Sequence, residues 1–325
     1  MRTLQPLSFV LPWFVFPLLL AGCRAEPDAT VDRPGETAAD VDASYAAELE
    51  AWQRERDAGL AGPDSWLTLA GLSWFVSGEN VAGSDLAYDI PMPESVPARL
   101  GTFYFRPEGA EGQKVELIVE DGLRVQVAGE PVDRTFLRLD VEGDPTIVEI
   151  GTVTVLAIQR GEQVGLRVRD RESASLAEFD GVPRYPADES WRVAGRFEPY
   201  DPPKPVGVPT VLGTTVDLES PGRVVFERDG EPGALDALPA GGDQVWLIFA
   251  DATNADSTYG SGRFLYADIA PDVLKAGGEL IVDFNLAYNP PCAFSSYATC
   301  PLPPAGNRLS FRVEAGEQRY RAAVH

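Results

Sequence analysis

Apolar positions along this chain follow two different periods, one on each side of residue 64. Between residues 42 and 57 they recur at helical spacing: Tyr45, Leu49 and Trp52 fall at i, i+4 and i+7, and Glu50 precedes Arg54 by one turn. This spacing predicts a helix from Asp42 to Asp57, capped by Asp42 or Ser44 and ended by Gly59 or Gly62. Beyond residue 64 the period drops to two. The runs 115–119, 125–127, 152–156, 164–169, 223–226, 244–249 and 280–285 are β-branched or alternate apolar with polar residues. The 31 Gly and 28 Pro of the chain punctuate them. Short strands at such intervals predict a mainly β fold, an antiparallel β-sandwich or distorted barrel with one N-terminal helix. Single helical turns fit 174–179 and 272–276. Pro202-Pro203-Lys204-Pro205 marks either a seam between two β lobes, near 200–206, or a rigid crossing loop.

Ahead of the helix the pattern changes again. Arg2 precedes an apolar run from Leu7 to Leu20, interrupted by Pro12 and Pro17 and closing on Leu20-Ala21-Gly22-Cys23. The run falls short of the roughly 20 uninterrupted apolar residues that a membrane span requires. It reads as an export signal over 1–22, and its end resembles the lipobox of bacterial lipoproteins. That resemblance implies lipidation of Cys23 and a lipid anchor as the contact with a membrane of the cell envelope. Residues 23–42 are rich in Ala, Asp, Glu, Thr and Pro and predict a disordered tether. Residues 43–325 are then the folded domain.

Charge and cysteine count narrow the partners. With 27 Lys+Arg against 50 Asp+Glu, the net charge of −23 argues against nucleic acid and against electrostatic adhesion to anionic headgroups. If lipid takes Cys23, Cys292 and Cys300 remain as an even pair and a candidate disulfide, worth about 2–3 kcal/mol by loop entropy. The single histidine, His325, and two thiols do not assemble a structural zinc site. Gly260-Ser261-Gly262 lacks the Lys and following helix of a phosphate loop, and Asp251-x-Thr253-x-Ala255 fails calcium-loop spacing. No metal or cofactor is therefore expected.

The polar residues that could carry chemistry sit at strand ends. Arg167 and Arg169 share the strand face opposite Leu166 and Val168, with Asp170 at the end. A hairpin is predicted whose legs carry Asp251 and Arg263, with Tyr259 between them. Read as one strand, 280–286 puts Ile281, Asp283 and Asn285 on the face opposite Leu280, Val282, Phe284 and Leu286. Tyr288-Asn289-Pro290-Pro291 follows as a rigid turn suited to a cis X-Pro bond. Histidine-dependent nucleophilic catalysis is excluded, because the domain holds no internal histidine. Cys292 as a nucleophile would need an arginine or a helix N-terminus to activate it. Trp66, Trp74, Trp191 and Trp246 read as core or rim packing.

Several segments together resemble the DUF1684 family, a domain of unknown function. They include 66–74, Gly78-Glu79-Asn80, 166–170, 249–253, 258–265, Asp283 to Cys292, Cys300-Pro301-Leu302-Pro303-Pro304, Asn307-Arg308-Leu309 and Ala315-Gly316-Glu317. The resemblance spans Tyr45 to Tyr320 and implies a shared site in the closing segment, with no activity attached. Three readings follow. The first is a tethered β domain whose pocket binds a small polar or anionic ligand through Arg167, Arg169, Asp170, Asp251, Tyr259, Arg263, Asp283, Asn285, Tyr288 and Asn289. The second is a hydrolase using Asp251 or Asp283 as acid–base, with Arg167 and Arg263 orienting substrate; it requires the carboxylates within about 5–10 Å. The third is a structural envelope protein.

Overall fold

The computed structural model describes residues 38–320; the predicted signal 1–22, Cys23, most of the predicted tether and His325 lie outside the described residues. The alternating runs pair into three sheets. Five strands, Ile90–Pro91, Gly78–Gly83, Gly101–Phe105, Val115–Val119 and Arg134–Leu137, form the first in that spatial order. The second has six: Leu69–Trp74, Gln163–Asp170, Val153–Arg160, Val148–Ile150, Gln126–Val127 and Glu130–Pro131. Phe103, Leu117 and Leu137 of one sheet share a core with Val155, Leu166 and Val168 of the other. Because side chains alternate across a strand, burying Leu166 and Val168 between the sheets turns Arg167 and Arg169 to the outer face.

The third sheet orders Arg263–Asp268, Gln244–Phe249, Glu231–Pro239, Thr215–Arg228, Arg192–Pro209 and Gly278–Asp283, all antiparallel. It curls as a half-barrel around Phe197, Val224, Leu247, Val282 and Phe284. The expected mainly β fold with antiparallel sheets and one N-terminal helix is the fold observed. The helix runs Ala38–Leu60; of the predicted stripe Tyr45 and Leu49 are buried and Trp52 is half-buried, and Leu60 is buried beyond the predicted end. Among the described residues no helix is long and apolar enough to cross a membrane.

Four local expectations need correction. The helix begins at Ala38, inside the segment assigned to the tether. The strand expected over 280–286 ends at Asp283, whose carboxylate accepts the Asn285 amide and caps a 3-10 turn, Phe284–Leu286. Asp283 and Asn285 therefore do not project from one strand face. The proline segment 202–205 is neither seam nor crossing loop: it lies within the 18-residue strand Arg192–Pro209, where pairing shifts register between Pro199 and Lys204. That strand also holds the cis peptide bond, Asp201–Pro202, which was expected instead at Tyr288 to Pro291.

Candidate functional site

The predicted hairpin forms, with Phe249 opposite Arg263. Asp251 follows the first leg and caps the 3-10 turn Ala252–Ala255 through the Thr253 amide, 2.8 Å away. Its other oxygen accepts Arg263 Nη2 at 2.9 Å, and neither side chain is exposed. Arg263 also donates to the carbonyls of Val313, Ala315 and Glu317. Burial lowers the Arg263 pKa, and Asp251 opposes that shift. All these partners are protein groups, so the pair fastens the closing segment 313–317 onto the hairpin.

Asp283 is engaged elsewhere. It accepts the Tyr45 hydroxyl at 2.9 Å and the Asn285 side-chain amide at 3.0 Å, with Arg192 at 3.5 Å. Burial, then the Asp283 charge, raises the Tyr45 phenol above its usual range. Tyr45, Trp52, Arg192, Tyr266 and Asp283 border a hollow of about 430 Å³ between helix and sheet. Asp251 and Asp283 share no hydrogen-bond partner; each is held by its own set of protein groups.

Tyr288 and Asn289 belong to a third cluster that the sequence reading missed in part. Fully buried Glu317 accepts Arg56 Nε at 3.0 Å and the Asn289 amide at 2.7 Å, with Arg184 at 3.6 Å. Arg56 also donates to the Asn289 carbonyl and stacks over the Tyr288 ring. Burial, then Tyr266, raises the Tyr288 phenol. Tyr259 donates to the Cys292 carbonyl at 3.2 Å. Cys292 and Cys300 stand at disulfide distance, their Cα atoms 6.1 Å apart. Asp170 accepts Ser95 and Thr152 hydroxyls and holds the strand end. The ten predicted site residues thus do not line one pocket, although Arg263 and Asn289 meet at Glu317 and Tyr288 stacks on Tyr266 at the edge of the Asp283 hollow.

Arg167 differs in its charge partners. It is only 6 % exposed and, like Arg184 and Arg263, leaves its Nε without a partner, but it forms no ion pair among the described residues. Its one hydrogen bond is from Nη2 to Thr299 Oγ1 at 3.3 Å. Arg160 Nε donates to the same hydroxyl at 3.0 Å, so both acceptor positions of that oxygen are taken by cations. Arg160 reaches Asp140 at 2.7 Å. Arg169 donates to the Asp64 and Ser65 carbonyls and lies over the Trp66 ring. Burial, then Arg160, then Arg169, pushes the Arg167 pKa down to about 10, with the Asp140 charge acting the other way. Three arginines thus converge on one face with a single ion-paired carboxylate, Asp140, facing Arg160. Arg160 was legible from alternation, which puts it on the face of Arg167 once the hairpin register is known. Thr299 carried no local signal.

No curated protein matches the chain. A solution NMR structure of an uncharacterized protein from gene locus rrnAC0354 of Haloarcula marismortui is 33% identical, covering 44% of this chain and 78% of that one, with a TM-score of 0.38. The family described as "Protein of unknown function (DUF1684)" matches residues 177–318. That match includes Thr299 and the Asp251–Arg263 pair, is narrower than the expected Tyr45 to Tyr320, and stops short of Arg160, Arg167 and Arg169. Over residues 177–318, less than half of the chain, the protein is similar to the DUF1684 family.

Proposed function

We propose that this protein is an exported, lipid-anchored binding protein that takes a small anionic ligand at the face formed by Arg160, Arg167 and Arg169. The observation that carries the reading is Arg167, a buried guanidinium whose Nε is unpartnered and whose one acceptor is a neutral hydroxyl shared with a second arginine. A buried charge without a counter-charge is costly, and arginine's planar fork suits carboxylate and phosphate oxygens. An anion at this point supplies the missing acceptors. Titration calorimetry of the full-length chain with acetate and with inorganic phosphate tests it. Saturable binding is expected, weakened about ten-fold or more by Arg167→Gln, as befits loss of a charge-assisted hydrogen bond. Affinity indifferent to that substitution removes the reading. The anchor rests on Leu20-Ala21-Gly22-Cys23. Cys23→Ser is expected to release the protein from membranes; continued acylation at another residue refutes the lipobox.

A further inference from the structure

The third sheet curls until its two edge strands, Arg263–Asp268 and Gly278–Asp283, approach one another. Leu265, Ala267, Leu280 and Val282 belong to the half-barrel core, so alternation turns Tyr266, Asp268, Ile281 and Asp283 outward. The N-terminal helix meets that outer face with Tyr45, Glu48, Leu49 and Trp52, which its period places on one side. All eight residues line the single hollow of about 430 Å³ that Asp283 borders, a volume suited to a small molecule.

This lining joins aromatic faces to an excess of negative charge. Three carboxylates, Glu48, Asp268 and Asp283, stand against one guanidinium, Arg192. Arg192 and Asp283 are cross-strand neighbours 3.5 Å apart, and the guanidinium lies over the Tyr45 ring, 4.5 Å from its centroid. Those two charges answer each other. The other two acids have no cation. Asp268 accepts the side-chain amide of its cross-strand neighbour Gln244 at 2.8 Å, and exposed Glu48 forms no hydrogen bond or ion pair among the described residues. Trp52 is half-buried, while Tyr266 and Ile281 are 41 % and 46 % exposed although they line a concavity. Trp246 and Tyr288 lie nearly parallel to the Tyr266 ring, at 16° and 20°, and hold it in place. Open aromatic surface beside carboxylates without counter-ions matches an occupant that is both apolar and positively charged. A hydrated metal ion would leave the rings and Ile281 wet. A neutral sugar would gain nothing from the excess charge.

We infer that this hollow binds a small alkylammonium cation, its charge faced by Glu48 and Asp268 and its alkyl groups by Trp52, Tyr266 and Ile281. The site is independent of the anion reading, since none of Arg160, Arg167 and Arg169 lines it. The net charge of −23 draws a cation toward the protein at long range.

Titration calorimetry of the full-length chain with choline, dimethylbutanol as its neutral isostere, calcium and N-acetylglucosamine tests the inference. Choline is expected to saturate one site and to bind about ten-fold tighter than the isostere, a gap that narrows with added salt. Tyr266→Leu removes the ring and keeps an apolar side chain at an exposed position; it is expected to weaken choline about 3- to 30-fold. Glu48→Gln has no partner to lose, and a loss of about two- to five-fold is expected from the missing charge. Arg167→Gln is expected to leave choline unchanged. The inference is overturned if choline shows no saturable binding, if the isostere binds as tightly, or if calcium or the sugar binds more tightly. Choline affinity that ignores both Tyr266→Leu and Glu48→Gln, or that is lost in Arg167→Gln, overturns it as well.

Discussion

A guanidinium withdrawn from water with no carboxylate bonded to it lowers the stability of the fold wherever it is charged. For Arg167 the direction with pH follows from the shift. Its folded pKa of about 10 lies below the ordinary guanidinium range, so the folded state binds this proton less tightly than the unfolded chain. The destabilisation is complete below about 10 and is relieved as pH rises from there toward the ordinary range. Arg167→Met is therefore expected to raise the unfolding free energy by about 1–3 kcal/mol while removing anion binding. Urea titrations should show that gain constant from pH 6 to 9 and narrowing above about 10. Asp251→Asn works the other way, because it leaves Arg263 fully buried beside a neutral amide; a loss of about 3–5 kcal/mol is expected in the same measurement. Alternation alone put Arg167 and Arg169 on one face, and hairpin proximity joined Asp251 to Arg263. Which arginine is neutralised and which is not was illegible, since the deciding neighbour, Thr299, is 132 residues from Arg167.

Elements were legible where their own periodicity sufficed. The stripe Tyr45, Leu49 and Trp52 identified the helix because 3.6-residue spacing needs no partner to be seen. The end of the strand at Asp283 escaped the same reasoning, since a side-chain cap on the following turn outcompetes an apolar pattern that continues to Leu286. The prolines at 202–205 read as a break, yet a long strand absorbs them where its pairing with Thr215–Arg228 skips register. Among these elements the segment from Cys292 to Cys300 links the two regions of interest. It leaves the Tyr288–Asn289 turn and ends beside Thr299, which meets Arg160 and Arg167. Replacing both cysteines by serine is expected to cost about 2–3 kcal/mol by loop entropy. It should also loosen Thr299, read out as faster amide exchange over 292–300. Two free thiols by alkylation and mass under oxidising conditions would contradict the pairing.

For the whole molecule, the class of fold was readable from punctuation and period, but the division into three sheets was not, because strand order depends on partners far apart in sequence. Net charge was readable and has a kinetic consequence. A body of net charge −23 repels an anion until it is within a Debye length, about 10 Å at 0.1 M salt, of the local arginines. Association of inorganic phosphate, followed by stopped flow, is therefore expected to quicken as salt rises from 10 mM toward about 100 mM; slowing over that range would mean that the arginines dominate at long distance. The closing segment carries a consequence of another kind. Arg263 waits for the carbonyls of Val313, Ala315 and Glu317, and Arg56 of the N-terminal helix waits for Glu317, 261 positions later. Neither cation has its full set of native acceptors until residue 317 has been made. During synthesis, then, the helix that emerges first is among the last parts to dock, after the core shared by the first two sheets, which needs only residues 75–168.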